Sequence, residues 1–306
     1  QVRVYSGALS SPLASKNVFI TPFVDISGGN YSTLYANNQW DGNNPLFIKG
    51  DLTMNLNNVP NAGNTYDFSN NKKLLFAAGK SLSIANTATL MTHVEVGGCE
   101  NMWKGIAVHS GSTFESDMMT HIADAQAAVM VQKGATVNIR NTDFINNNFA
   151  VRTETAGTGN YNITLNSNRY GTTPEGLKAA YSGQSPAPLE KGFTGLFLQD
   201  AGNLSIGMDA GSSLRNEFFN LKYGILSYNT SLTLRNTVFR DITNVPKGSG
   251  YNDYANLIPT GKAVYVQGGA VDIKGGVISS DPPVVFDNCH TGVHTMYASA
   301  NIRETT

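Results

Sequence analysis

A four-residue element recurs seven times along this chain and constrains its fold more than any other feature. Each copy has a small residue, an aliphatic residue, a variable residue and then a fourth residue that is apolar or a small hydroxyl residue. The first residues of successive copies are 23, 22, 45, 29, 39 and 29 positions apart. The aliphatic second residues are Ile106, Val129, Val151, Leu196, Ile225, Val264 and Val293.

These spacings favour a solenoid. The shortest approximates one turn of a parallel β-solenoid, and the longer ones fit one turn plus an insertion. Side chains alternate between the two sides of a strand, so the seven aliphatic residues should form one interior row. A short strand cannot bury its apolar side alone, whereas stacking coils about 4.8 Å apart buries the whole row. The small residue in front is expected where the chain turns a tight corner.

A longer motif supports the same winding. Residues 135–144 read ATVNIRNTDF and residues 231–239 read SLTLRNTVF. Both contain alternating aliphatic residues followed by Arg-Asn-Thr, one variable residue and Phe. A competing interpretation, a helical turn within residues 118–126, conflicts with the register of the repeat. A brief helix is expected instead at residues 175–181.

Residues 72–306 resemble the right-handed parallel β-helix of the pectin-lyase-like superfamily. The four-residue elements, the Arg-Asn-Thr-x-Phe copies and the turn Asn146-Asn147-Asn148 carry this resemblance. It implies Asn side chains stacked as ladders along the turns. The segments 103–106 and 122–125 also resemble β-helical modules of large proteins exported by type IX secretion in surface-living bacteria.

We therefore predict an all-β chain, a right-handed single-stranded parallel β-helix of about seven to nine coils. The 34 Asn, 31 Gly and 27 Thr residues agree with many short strands and turns. Residues 1–71 fit the repeat poorly and are expected to form an N-terminal cap or irregular first coils. Insertions are expected near residues 154–192 and 241–261. Residues 292–306 begin a new coil, so we expect the chain to continue or this end to pack on a partner.

Charge and hydropathy exclude two classes of partner. Lys and Arg total 21 and Asp and Glu total 22, so the net charge is −1. That balance argues against nucleic-acid binding. No apolar run reaches the roughly 18 residues of a spanning helix, so direct membrane insertion is not expected.

The outward positions of the repeat contain an apolar stripe. Met130, Phe197, Leu226 and Tyr265 follow one another in the first outward column. A contiguous apolar stripe on a surface marks an interface or is covered by another part of the chain. We therefore take these four residues as interface candidates, covered by an insertion or by a second subunit.

The same positions offer little for catalysis. A glycosidase needs two carboxyl groups roughly 5–10 Å apart, and the outward columns hold Glu154 alone, with Arg152 two residues away. We therefore predict no catalytic residue and no cofactor. We also predict no metal site, because Cys289, His290 and His294 have no further ligand in evident reach. Cys99 and Cys289 lie six coils apart, about 29 Å, and are expected to be free, buried thiols.

The sequence thus predicts a non-catalytic structural or adhesive β-helix module of an extracellular or cell-surface protein or appendage. Its partners would be copies of itself, adjacent domains of a longer polypeptide, or surface glycans. One alternative is a carbohydrate-active β-helix, a lyase, hydrolase or glycan-binding module, with glycan-site candidates Arg152, Glu154, Tyr228 and Tyr265. A second alternative is a trimeric fibre like a viral tailspike.

Overall fold

Every strand that the structure describes in this protein pairs in parallel with its neighbours. The computed structural model describes residues 24–30, 45–55, 65–68, 73–181, 186–207, 215–243, 260–275 and 283–303. These residues form 25 strands, β1 to β25 in chain order, and no helix. The chain winds through three faces in turn, and each strand lies on the equivalent strand of the preceding coil. The predicted all-β parallel β-helix is confirmed.

Face 1 is a sheet of ten strands that are consecutive in space but come from successive coils. Its strands are β1 (Val24–Ile26), β3 (Leu46–Ile48), β6 (Lys73–Phe76), β9 (Glu95–Gly98), β12 (Thr120–Ala123), β15 (Thr142–Ile145), β18 (Arg169–Gly171), β20 (Asn216–Phe219), β22 (Thr237–Arg240) and β24 (Val285–Asp287).

Face 2 contains the recurrent four-residue elements. Its strands are β2 (Gly29–Asn30), β4 (Leu52–Asn55), β7 (Ser81–Ala85), β10 (Gly105–Val108), β13 (Ala127–Lys133), β16 (Phe149–Gly157), β19 (Gly192–Ile206), β21 (Leu221–Leu234), β23 (Lys262–Ile273) and β25 (Thr291–Ile302).

Face 3 contains the remaining strands and joins face 2 through the long ones. Its separate strands are β5 (Thr65–Asp67), β8 (Ala88–Thr92), β11 (Thr113–Asp117), β14 (Thr136–Arg140) and β17 (Asn162–Asn166). The second halves of β19, β21, β23 and β25 continue this face.

The interior row on face 2 has the register that the repeat predicts. Each of its seven aliphatic residues pairs with the next, from Ile106 with Val129 to Val264 with Val293. The row also extends toward the N-terminus through Leu82 to Leu52. All but Val293 are buried. One hydrophobic core therefore runs along the axis of the solenoid.

The interior row on face 1 ends in a stack of five aromatic rings. The rings lie nearly parallel, with centroids 4.6–5.3 Å apart and interplanar angles of 6–17°. Parallel strands with equal register place these side chains directly above one another. The members are Phe144, Tyr170, Phe218, Phe239 and Phe286.

This aromatic stack supplies a second reason for the small residues on face 2, beyond the tight corner. A Cβ atom on Gly195 would lie 2.5 Å from the ring of Phe218, and one on Gly224 would lie 2.7 Å from the ring of Phe239. Both distances are shorter than real Cβ contacts, and at Gly224 the backbone O of Ala263 would be nearer still, at 2.4 Å, so the rings and the adjoining backbone need glycine at these two positions.

Asn side chains link coils at the corners, as the resemblance implies. Asn216 Oδ1 accepts a hydrogen bond from the backbone N of Asn168, and Asn168 Oδ1 accepts one from the N of Thr142. At another corner, Asn147 Oδ1 accepts from the N of Ala125. These Asn residues are buried and satisfy backbone groups that the turns leave unpaired.

Several sequence predictions concern the ends and insertions. The division at residue 71 stays a prediction, although β1 to β5 already pair in register with later strands. Within the first predicted insertion, β17 and β18 belong to the sheets, and the described residues that leave the sheets are 172–181 and 186–191. Most of the second insertion lies outside the described residues. The brief helix expected at residues 175–181 is absent, as is a helical turn within 118–126.

Both cysteines are free, as predicted, but they are only half-buried. Burial raises the pKa of the Cys289 thiol. The part of the chain that the structure covers includes no helix long and apolar enough to cross a membrane.

Candidate functional site

The outward column of face 2 has the register that the sequence predicts. Met130 pairs with Arg152, Arg152 with Phe197, Phe197 with Leu226 and Leu226 with Tyr265. The structure therefore brings the four interface candidates into one column, with Arg152 between the first two. The expectation for this column is cover by an insertion or by a second subunit.

Three of the four candidates are buried within the chain. Phe197, Leu226 and Tyr265 are only 1–2% exposed, and Met130 alone retains partial exposure. They belong to an outer aromatic cluster, separate from the axial core, whose buried members are Ala127, Phe149, Phe193, Phe197, Tyr223, Leu226 and Tyr265. A partner could therefore reach Met130 on this column, but not the other three as they stand.

The glycan-site candidates lie along the edge of this cluster. Arg152 Nε is 2.9 Å from Glu154 Oε1, and about a third of each side chain is exposed. The Arg152 guanidinium also lies 5.6 Å from the Phe197 ring centroid. Tyr228 contacts Phe197 and Tyr265 through ring centroids 5.7 and 5.9 Å apart. Arg152 thus pairs with one carboxylate and packs against aromatic rings, an arrangement typical of a structural ion pair.

The first insertion contributes a strap, defined here as residues 172–181 and 186–191. The strap follows the corner between faces 1 and 2 and reaches back toward earlier coils. The N of Met102 donates to the O of Ala179, and Lys178 Nζ donates to the O of Gly98 and pairs with Asp124 at 2.8 Å. Burial raises the pKa of Asp124, and Lys178 opposes the shift. The strap therefore holds several coils together.

A buried ion pair anchors the end of the strap to face 2. Lys222 Nζ lies 2.6 Å from Glu190 Oε2, and the Lys222 side chain is only 4% exposed. A charge at such a depth is stable only with a close partner of opposite sign. The strap and the coil that begins with β21 are therefore coupled electrostatically.

The ladder of face 3 opens at one place. Strands β14 and β17 pair over five residues, and β19 and β21 pair throughout this face. Between β17 and β19, the described residues form a single pair, Leu165 with Ile206. On face 2, the Thr153 hydroxyl accepts a hydrogen bond from the N of Gln199 at 2.7 Å, in place of a backbone carbonyl. The two coils therefore separate between Thr153 and Leu165.

A longer corner explains this separation. The interior residue Ile163 lies twelve positions after Val151. On the neighbouring coils, Val137 lies eight positions after Val129 and Leu204 lies eight positions after Leu196. The Tyr161 hydroxyl donates to the O of Glu154 at 2.6 Å and closes the extra residues into a compact loop. Four additional residues at one corner prevent β17 from lying in full register beneath β19. The difference in spacing is readable from the sequence, and it falls within the predicted insertion at residues 154–192.

The separation leaves a cleft of roughly 300 Å³ on the outside of face 3. This volume lies at the lower end of the range for small-molecule pockets. None of its eight lining residues is charged. They are Tyr161, Asn162, Ile163, Thr164, Asn166, Asn203, Leu204 and Ser205.

The last coil exposes apolar side chains. Met296 is 37%, Tyr297 89% and Ile302 46% exposed. Tyr297 also has a φ of 52°, an uncommon backbone conformation for an aromatic residue. On the two faces of this coil, β24 and β25 each pair with one neighbour among the described strands. Among the described residues, this coil therefore combines strands that have one neighbour each with exposed apolar side chains.

Metal ligands do not converge in the described part of the chain. No group of three or more His, Cys, Asp and Glu side chains there could hold a metal ion. His294 lies on the outward column, with its ring centroid 5.3 Å from that of Tyr265. The Cys289 thiol contacts the carbonyl oxygens of Phe239 and Asp287.

Comparisons with known proteins found no relative of this chain. No protein-family model matches the chain, and neither a curated protein nor a solved structure matches it significantly.

Proposed function

We propose that this chain is a structural and adhesive β-helix module of an extracellular or cell-surface protein or appendage. It assembles with copies of itself or with neighbouring domains through its last coil and carries out no catalysis. The exposed apolar edge formed by Met296, Tyr297 and Ile302 on β25 is the observation that carries this proposal.

An open strand edge promotes further pairing. Proteins that stay monomeric protect such edges with charges, prolines, bulges or covering loops. Among the described strands, the 12-residue β25 pairs with β23 alone and has exposed apolar side chains, and the last described ring of the aromatic stack is the partly exposed Phe286. A further parallel strand would extend both the ladder and the interior rows.

The continuous core supports a mechanical role. Ten strands stack on face 1, so nine steps of about 4.8 Å give a rod of roughly 43 Å. Coils in a solenoid contact mainly their neighbours, and added coils lengthen it without changing its section. The extracellular location and the likeness to modules of type IX secretion rest on the sequence resemblance alone.

Sedimentation velocity over a range of protein concentrations tests the assembly. We expect association that increases with concentration and is weakened by Tyr297→Lys combined with Ile302→Lys. Leu189→Lys is the matched control, because Leu189 is 78% exposed but lies on the strap. A monomer at every concentration, or equal association in all variants, would contradict the proposal. A stable trimer independent of concentration would favour the tailspike-like alternative.

The carbohydrate-active alternative remains a separate hypothesis for the edge of the outer aromatic cluster. Arg152, Glu154 and Tyr228 are close together there, whereas Tyr265 is buried. Incubation with acidic and neutral polysaccharides, followed by assay of new reducing ends and unsaturated products, tests cleavage. Cleavage abolished by Glu154→Gln would replace the structural proposal with an enzymatic one.

A further inference from the structure

The cleft between β17 and β19 has the chemistry of a binding site that is independent of assembly. Backbone groups of Asn162–Thr164 face those of the second half of β19 without forming a ladder with them. Around them lie the amides of Asn162 and Asn203 and the hydroxyls of Thr164 and Ser205. Amides and hydroxyls both donate and accept hydrogen bonds, so the cleft presents mixed polar groups within a small volume.

The base of the cleft adds an apolar surface. Ile163 and Leu204 point into the axial core, yet they are 9% and 5% exposed, whereas Val137 on the closed ladder below is fully buried. The ring of Tyr161 packs against the same core beside them. A ligand for this cleft therefore needs an apolar side and a rim of hydrogen-bonding groups.

Charge and shape exclude other ligand classes. The lining contains no cation to hold an acidic ligand, and Glu154 and Asp200 stand near Tyr161. Burial chiefly raises the pKa of Tyr161, and these two carboxylates raise it further. An extended peptide strand does not fit between β17 and β19, because the pair Leu165–Ile206 closes the gap at one end. The cleft is thus suited to a short, uncharged ligand.

We propose that this cleft binds one or two units of a neutral saccharide. A pyranose ring combines hydroxyl groups around its rim with apolar C–H faces, which matches the polar walls and apolar base. The hydroxyls would bond to the amides and hydroxyls of the lining and to backbone groups of Asn162–Thr164, and a ring face would lie on Ile163, Leu204 and Tyr161. This inference rests on the proposed adhesive function and names the class of ligand that the module would bind.

Titration of isotope-labelled protein with neutral disaccharides, namely cellobiose, maltose, xylobiose and N,N′-diacetylchitobiose, tests this proposal. Digalacturonate and a short polar peptide serve as competing ligand classes. We expect one or more neutral disaccharides to shift the amide resonances of residues 162–164 and 203–205. Thr164→Val and Asn203→Ala should each weaken binding roughly three- to tenfold, the effect of one lost hydrogen bond.

Matched controls lie on the closed ladder of the same face. Ser231 pairs with Asn203 and Thr233 with Ser205, so Ser231→Ala and Thr233→Val make similar changes on β21, which pairs with both β19 and β23. These controls should leave binding unchanged, and all four variants should sediment like the wild type, so that assembly and binding can fail separately. Binding of digalacturonate or the peptide alone, binding insensitive to Thr164→Val and Asn203→Ala, or no binding of any disaccharide would overturn the proposal.

Discussion

The aromatic stack allows a quantitative test of how much the stacked coils support one another. Phe218 is fully buried at the centre of the stack, with ring centroids 4.6 Å from Tyr170 and 4.9 Å from Phe239. Truncating a buried Phe to Ala costs about 3–5 kcal/mol. An aromatic pair adds about 0.5–1.5 kcal/mol beyond burial, and Phe218 loses two such pairs. We therefore expect Phe218→Ala to lower the free energy of unfolding by about 4–8 kcal/mol.

Phe286→Ala is the matched control, because Phe286 belongs to the same stack but has one ring neighbour and is partly exposed. It should cost about 1–2 kcal/mol, since less area and one pair are lost. Urea denaturation followed by far-ultraviolet circular dichroism measures both values. Similar losses for the two variants, or a loss below about 1 kcal/mol for Phe218→Ala, would refute the stacked arrangement.

Three other predictions follow from single contacts. Gly195→Ala should cost about 1–3 kcal/mol in the same assay because its Cβ would lie 2.5 Å from Phe218, whereas Gly292→Ala, with the ring of Phe286 at 3.5 Å, should be nearly neutral. Ile225→Asp should yield no soluble folded protein, because it places an unpaired charge in the interior row; an unchanged melting temperature would contradict the register. Burial alone would raise the pKa of Asp51, but hydrogen bonds from Ser81, together with the positive charges of Lys104 and Lys80, outweigh it and lower the pKa below its ordinary value. The wild type should therefore be more stable than Asp51→Asn above pH 4, and the difference should shrink as the pH falls through the lowered pKa; a difference that grows on acidification would contradict this assignment.

The interior of the fold was predictable because its signal is local. A parallel solenoid repeats the same contacts on each coil, so the spacing of Ile106, Val129 and Val151 is enough to define one register. The Phe residues of the two longer motifs likewise occupy equivalent positions in the aromatic stack. Two of its five members, Phe144 and Phe239, were thus visible in the sequence.

The outside of the solenoid was less predictable because its contacts join distant segments. The alternation correctly placed Phe197, Leu226 and Tyr265 on the outward column, but alternation does not tell whether another segment buries them. The course of the strap depends on pairs such as Lys178 with Asp124 and Glu190 with Lys222, which no periodic pattern relates. The cleft follows from four extra residues at one corner, and their effect appears only when neighbouring coils are compared.

The native cysteines provide the most direct measurement of the central claim, that the chain winds into a stack of coils in parallel register. Cys99 follows β9 and Cys289 follows β24, which are six steps apart on face 1. At about 4.8 Å per step, the two positions are about 29 Å apart. Pulsed electron resonance between spin labels on these two thiols should give one distance distribution centred near this value, widened by the label arms. A distribution centred well below about 20 Å, or one without a defined maximum, would contradict the stacked solenoid.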